Sequence, residues 1–264
     1  MATTHLARLS LAALVVATLP AAPAPLSAQS ATAKPTIVLV HGAFADGTGW
    51  QRVIPLLERD GYNVLAVQNP LTSLATDVST TKRLIDAQHG PVVVVGHSYG
   101  GAVMTGAAAG NPNVKALVYI AAFAPEANEP VGAFGEKYPS QLGTALKPDA
   151  AGFLYIDRAK FRDVFARDVS ASEASVMSSA QKPITGSVFG ESLPAAAWKT
   201  IPSWYMVAQE DRAINPDLER FYAKRMGART TEVKASHVVF VSHPKEVARL
   251  IEQAATASAR MASR

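Results

Sequence analysis

The sequence predicts an α/β fold: a mostly parallel sheet of six strands flanked by helices. Three observations predict it. Short apolar runs recur along the chain, and most are continuous rather than alternating, as in strands buried on both faces. Between them lie segments long enough to be crossover helices. With 264 residues, 48% hydrophobic and 17% charged, the chain also has enough apolar material for one large core.

The first thirty residues, MATTHLARLSLAALVVATLPAAPAPLSAQS, stand apart from that pattern. Arg8 precedes an apolar run over 9–19, followed by a small-residue, Pro-containing stretch suited to cleavage between Ala28 and Ala33. We expect residues 1–30 to be a signal peptide and the protein to be exported, to a bacterial periplasm or the medium. The run is shorter than the ~20 apolar residues that cross a bilayer, so no stable membrane span is expected after cleavage.

The predicted strands are TIVLV (36–40), NVLAV (63–67), PVVVVG (91–96), KALVYIA (115–121), SWYMVA (203–208) and TTEVKA (230–235). Helices are predicted over 48–59, 79–89, 102–109, 216–226 and 244–257, each filling an interval between strands or following the last. One interval is too long. About eighty residues separate the strand ending at 121 from the one starting at 203, where a crossover needs only about a dozen. It carries no strong strand, and RAKFRDVFARDV (158–169) and SASEASVMSSAQ (170–181) read as helices. We expect residues 126–199 to form a helical cap inserted into a core made of 34–125 and 200–264.

There are no cysteines, so neither a disulfide nor a thiol nucleophile is available. The formal charge of +4 is scattered, with Lys and Arg interleaved among Asp and Glu. That is the pattern of a solvated surface, and no nucleic-acid partner is expected.

The chemistry-bearing stretch is VVVVGHSYGG (92–101). A Gly-x-Ser-x-Gly pattern arises by chance in roughly one chain in ten of this size, so context decides. Here an apolar strand precedes Ser98 and a small-residue helix follows it. The serine therefore sits at a strand-to-helix turn so tight that its neighbours must lack bulk. A serine hydroxyl needs a base and an orienting acid. Of the six histidines, His237 and His243 lie late enough in the chain, and His237 directly follows the last strand, where loops converge on a site. His243 precedes Pro244 and reads as a helix-start residue, and His41 reads as a shaper of the first loop. For the acid, Glu210 and Asp211 both follow a strand end; Asp211 lies one step further into the loop. An oxyanion needs two backbone N–H groups, expected from Tyr99 and from Ala43 in the loop HGAFADGTGW.

The segments VLVHGAFADGTGW, VVVVGHSYGGAV, ALVYIAAFAP, YMVAQEDRAI and SHVVFVSHPKEV together resemble the α/β-hydrolase superfamily. The resemblance is to the branch of plant methyl-ester esterases and hydroxynitrile lyases with their bacterial esterase relatives. It implies the α/β-hydrolase fold and the chain order Ser98, Asp211, His237. Hydroxynitrile lyases carry a Thr where this chain has Gly42 and a Lys where it has Val238, which argues against lyase activity. The expected function is therefore hydrolysis of small-molecule carboxylic esters through an acyl-enzyme, with no cofactor and no metal. Alternatives on the same residues are cofactor-free haloperoxidation or perhydrolysis, lactone or C–C cleavage, or non-catalytic ligand binding. Phe44, Tyr99 and Phe123 lie near strand ends and can line an apolar substrate pocket, with Phe134, Phe153, Tyr155 and Phe189 from the cap as further candidates.

Overall fold

The computed structural model of the chain describes residues 1–2 and 34–262, and residues 33–264 form one compact unit. Residues 3–30 of the expected signal peptide lie outside the described residues. The sheet has six parallel strands in the order β2-β1-β3-β4-β8-β9. They are β1 (Thr36–Val40), β2 (Val64–Ala66), β3 (Val92–Ser98), β4 (Val114–Ala122), β8 (Ser203–Ala208) and β9 (Arg229–Val233). Every residue of β3 and β8 is buried, which explains their unbroken apolar character. The edges are blunted: β2 is three residues long, and β9 is exposed and carries Arg229 and Glu232.

Around the sheet run α1 (Ile54–Arg59), α2 (Leu74–Asp86), α3 (Tyr99–Ala107), α7 (Pro216–Arg225), α8 (Val239–Ser242) and α9 (Pro244–Ala262). The predicted helix over 48–59 is in fact two: a 3-10 turn, Gly47–Arg52, capped by Asp46, then α1. Pro55 explains the break, because it has no backbone N–H to bond the Gln51 carbonyl in a continuous helix. α2 starts five residues before the predicted boundary, where the Ser73 hydroxyl caps it by accepting the N–H of Thr76.

Between β4 and β8 lie α4 (Leu142–Ala145), α5 (Arg158–Phe165) and α6 (Ala171–Ala180). The insertion, expected to carry no strong strand, holds three short ones: β5 (Leu146–Pro148), β6 (Phe153–Ile156) and β7 (Ile184–Thr185) pair as a small antiparallel sheet. Strands of two to four residues are too short to leave a period-two signature in the sequence.

Functionally, the decisive feature is strand order. From β1 the chain passes to β2 on one side, then returns to β3 on the other. The carboxyl ends of β1 and β3 therefore flank a topological switch point, where open α/β sheets form their binding crevice.

Candidate active site

Ser98 ends β3 and begins α3 with φ 53° and ψ −126°, a left-handed backbone that costs a non-glycine residue about 1–3 kcal/mol. Its surroundings permit nothing looser. A Cβ at Gly96 would lie 2.6 Å from the Gly100 carbonyl oxygen, one at Gly100 2.5 Å from that of Val40, and one at Gly101 2.4 Å from that of Phe123. The three glycines thus let α3 pack directly on β1 and β4 at the turn. Tyr99 follows the serine, but its side chain is not in a pocket as expected. It is fully buried, and its hydroxyl donates to Asp77 Oδ2 at 2.8 Å. Burial, then the Asp77 carboxylate, push that phenol far above its ordinary range.

Opposite the serine lies the loop after β1. A Cβ at Gly42 would come 2.7 Å from Ser98 Cβ, so this backbone rests directly against the elbow. His41 shapes the loop from behind. Its Nε2 accepts the N–H of Asn69 at 3.0 Å, and Nδ1, which must then carry the hydrogen, donates to the Gly42 carbonyl at 2.8 Å. Burial lowers its pKa to about 4, so the ring is neutral at pH 7. Ala43 follows, buried, and Phe44 turns with φ 60°.

Asp211 and His237 meet because their loops are stitched together. The Gln209 N–H donates to Val233 O and that of Glu210 to Ala235 O, joining the ends of β8 and β9. Asp211 Oδ1 accepts the N–H groups of Ala213 and Ile214 at 2.6 and 2.9 Å, while Oδ2 accepts His237 Nδ1–H at 2.5 Å. An ionised carboxylate has no hydrogen to give, so the imidazole's hydrogen is on Nδ1 and Nε2 is free to act as a base. Glu210 stays at the surface beside Lys234, and His243 leads into α9, 34% exposed.

His237 is packed against the elbow through His97, the residue before Ser98. The two rings lie 4.6 Å apart, and His97 Nε2 bonds the His237 carbonyl at 3.0 Å. No hydrogen bond joins Ser98 Oγ to the imidazole; in free enzymes that contact is often long and tightens only with substrate. Three contributors had no sequence signal of function. Phe165 of α5 covers the imidazole at 4.8 Å and meets Phe44 edge-on at 6.2 Å. Asp168, just beyond, accepts the Ser236 N–H and the Ser242 hydroxyl, each at 2.8 Å, and the Ser236 hydroxyl as well. His97 is the third. The sequence marked residues 158–169 as a helix, but nothing marked what that helix would cover.

Next to this group is an apolar cavity of about 240 Å³ lined by Phe123, Tyr138, Leu142, Leu146, Phe189 and Ile214, among others. Of the aromatics expected there, Phe123 and Phe189 line it. Phe134 instead packs on Phe221 and Tyr222, and Tyr155 is 36% exposed. A wider groove of about 700 Å³ lies at the amino ends of β8 and β9, the opposite end of the strands from Ser98. Among the described residues, no group of three or more His, Asp or Glu side chains is arranged to hold a metal ion, and no helix is long and apolar enough to cross a membrane.

Residues 37–250 match the alpha/beta hydrolase family. The chain belongs to that family. Its relatives include polyneuridine aldehyde esterase of Rauvolfia serpentina, 27% identical over 258 residues, 85% of this chain and 97% of the relative. Salicylic acid-binding protein 2 of Nicotiana tabacum is 27% identical over 243 residues, 80% of this chain and 93% of that protein. Among solved structures, a pyrethroid hydrolase from Sphingobium faniae JZ-2 shares the fold with a TM-score of 0.73 at 23% identity, covering 86% of this chain and 99% of the other. The expected resemblance to the plant esterase branch holds, and the chain is a hydrolase. As an α/β-hydrolase it carries its two loop-borne side chains, Asp211 and His237, at the same sheet edge as the elbow serine.

Proposed function

We propose that this α/β-hydrolase is a carboxylesterase in which Ser98 is the nucleophile, His237 the general base and Asp211 the group that orients it. The observation carrying this reading is the Asp211–His237 hydrogen bond, which leaves Nε2 basic beside a serine held in a strained turn. In the reaction, Ser98 Oγ attacks the ester carbonyl carbon as its proton passes to Nε2, and the carbonyl oxygen becomes an oxyanion. The backbone N–H groups of Tyr99 and Ala43 stabilise that oxyanion. The C–O bond to the alcohol then breaks, and the departing oxygen takes the proton from Nε2. Water, deprotonated by the same nitrogen, cleaves the acyl-enzyme and returns the proton to Ser98. Neither metal nor organic cofactor enters this scheme.

Residues 126–199 serve as the cap, with Phe165 excluding water above the imidazole and Phe44 and Phe123 contacting substrate. An apolar cavity of about 240 Å³ suits an ester with a small to medium apolar group. The esterase names of the relatives support the same chemistry, and we place the mature protein outside the cytoplasm on the reading of residues 1–30.

The test is labelling with a fluorophosphonate and a series of p-nitrophenyl acyl esters. Wild type is expected to take one label and to prefer short to medium chains, while Ser98→Ala takes none and loses at least about 10³-fold in kcat. Full esterase activity in folded Ser98→Ala refutes the assignment. Turnover confined to hydrogen peroxide-dependent halogenation or to lactones, run in parallel, refutes the ester class.

A further inference from the structure

Glu219, in α7, is completely buried, and no step above uses it. Its Oε2 accepts the N–H of Ala208, the last residue of β8, at 2.9 Å. Its Oε1 is buried with no hydrogen-bond partner among the described residues, and the charge that bears on it most is that of the Asp211 carboxylate. Two ionised carboxylates cannot bond each other, since both have only lone pairs to offer. Asp211 is already committed as an acceptor, to Ala213, Ile214 and His237. A hydrogen on Glu219 is the one arrangement that satisfies both groups.

The groups facing Glu219 agree. From β8 comes the Tyr205 hydroxyl, held by the backbone of Ala122; from the same helix comes Arg220. The Arg220 guanidinium is turned outward to Asp217 and Glu232, so it does not neutralise a buried anion. Burial first, and then the charge of Asp211, hold the Glu219 carboxyl well above the usual carboxylate range.

We propose that Glu219 is a protonated positioning residue that donates a hydrogen bond to Asp211, fixing the carboxylate that in turn orients His237. A neutral donor anchors the carboxylate without placing a second negative charge behind the imidazole. This role rests on the esterase reading above; the protonation itself does not.

Two substitutions separate the possibilities. Glu219→Gln keeps the acceptor for Ala208 and offers an N–H where the acid offers O–H, whereas Glu219→Met removes both. Infrared difference spectra of wild type against Glu219→Gln at pH 7 are expected to show a protonated-carboxyl carbonyl band that the variant lacks; a carboxylate band in its place overturns the proposal. In kinetics, Glu219→Met is expected to lower kcat about tenfold or more with KM within about twofold, and Glu219→Gln to recover most of that loss. The acid limb of kcat/KM, which reports the free imidazole, is expected to stay within about 0.3 pH of wild type in Glu219→Gln. A fall of about one pH unit or more marks the loss of a real charge and overturns the proposal. Should Glu219→Met fail to fold, the infrared band and the Glu219→Gln acid limb still decide. A wild type with the band but without fluorophosphonate labelling upholds the protonated acid and overturns the esterase reading alone.

Discussion

Gly42→Ala tests the contact between the first loop and Ser98. An added Cβ would lie 2.7 Å from Ser98 Cβ, 3.0 Å from the His97 carbonyl oxygen and 3.1 Å from His97 Nδ1. Non-bonded carbons prefer about 3.5–4.0 Å, so the loop or the elbow must give by roughly 0.8 Å. Both sides resist: the loop is pinned by His41, and the elbow by glycines that already touch β1 and β4. An oxyanion donor works only at about 2.7–3.1 Å, and a displacement of this size removes Ala43 N–H from that range. Losing one donor costs about 10²–10³ in kcat, or about 2.7–4 kcal/mol of transition-state stabilisation. Because the donor acts on charge that develops only in the transition state, KM should move by less than about threefold. The crowding itself should cost about 1–3 kcal/mol of stability. The assay is steady-state hydrolysis of p-nitrophenyl butyrate, with urea denaturation of the same preparation. A folded, destabilised Gly42→Ala whose kcat stays within about threefold of wild type would show that Ala43 N–H does not bind the oxyanion.

Asp211→Asn preserves the acceptor for Ala213 and Ile214 but turns an N–H toward His237 Nδ1, so the imidazole's hydrogen moves to Nε2 and the base is lost; kcat should fall about 10⁴-fold at pH 7 with little change in KM. Asp168→Ala removes the acceptor of three hydrogen bonds from Ser236 and Ser242, and urea denaturation at pH 7 should show a loss of about 1–3 kcal/mol. Burial raises the Asp168 pKa, but those bonds outweigh it and hold the carboxyl below the ordinary aspartate value of 3.8. The stabilisation is therefore complete above that value and fades as pH falls through the lower, folded value, so the gap between wild type and Asp168→Ala should narrow in acid below pH 3.8. For export, amino-terminal sequencing of the protein recovered from the periplasm or medium should start between residues 29 and 34; a start at Met1 in that fraction refutes the cleaved leader.

What the sequence made legible depended on how far each signal reaches along the chain. The buried strands announced themselves because burial on both faces forces consecutive apolar residues, as in VVVV at 92–95. Ser98 was legible because a tight elbow needs its glycines within three positions. Asp211 and His237 were legible because each directly follows a strand end, and parallel strands bring their carboxyl ends to one edge. The supports were not. Asp168 meets Ser236 from 68 positions away, and no local pattern encodes that meeting. Glu219 sits in a helix whose neighbouring residues, Arg220 and Asp217, are exposed charges, so it reads as one more surface acid. The antiparallel strands of the insertion were missed for a different reason: each is fixed by its partner's register, not by its own periodicity.

The insertion's position follows from the topology as well. β4 pairs with β8 at Leu117 and Ser203, so the intervening chain leaves and re-enters the sheet between adjacent strands without disturbing their ladder. Closing so long a loop is not prohibitive, because each doubling of loop length adds only about 0.6 kcal/mol. A segment leaving at the carboxyl end of β4 emerges beside the carboxyl end of β3, where Ser98 lies, since those strands are hydrogen-bonded neighbours. Bulk added there is therefore placed beside the site, whereas bulk added at the amino ends of the strands would leave it untouched. Phe165 and Asp168 show the consequence: the insertion both covers the His237 ring and fastens the residue before it. Changes of sequence within 126–199 can thus reshape the apolar cavity at Leu142, Leu146 and Phe189 while Phe165 and Asp168 keep His237 in place.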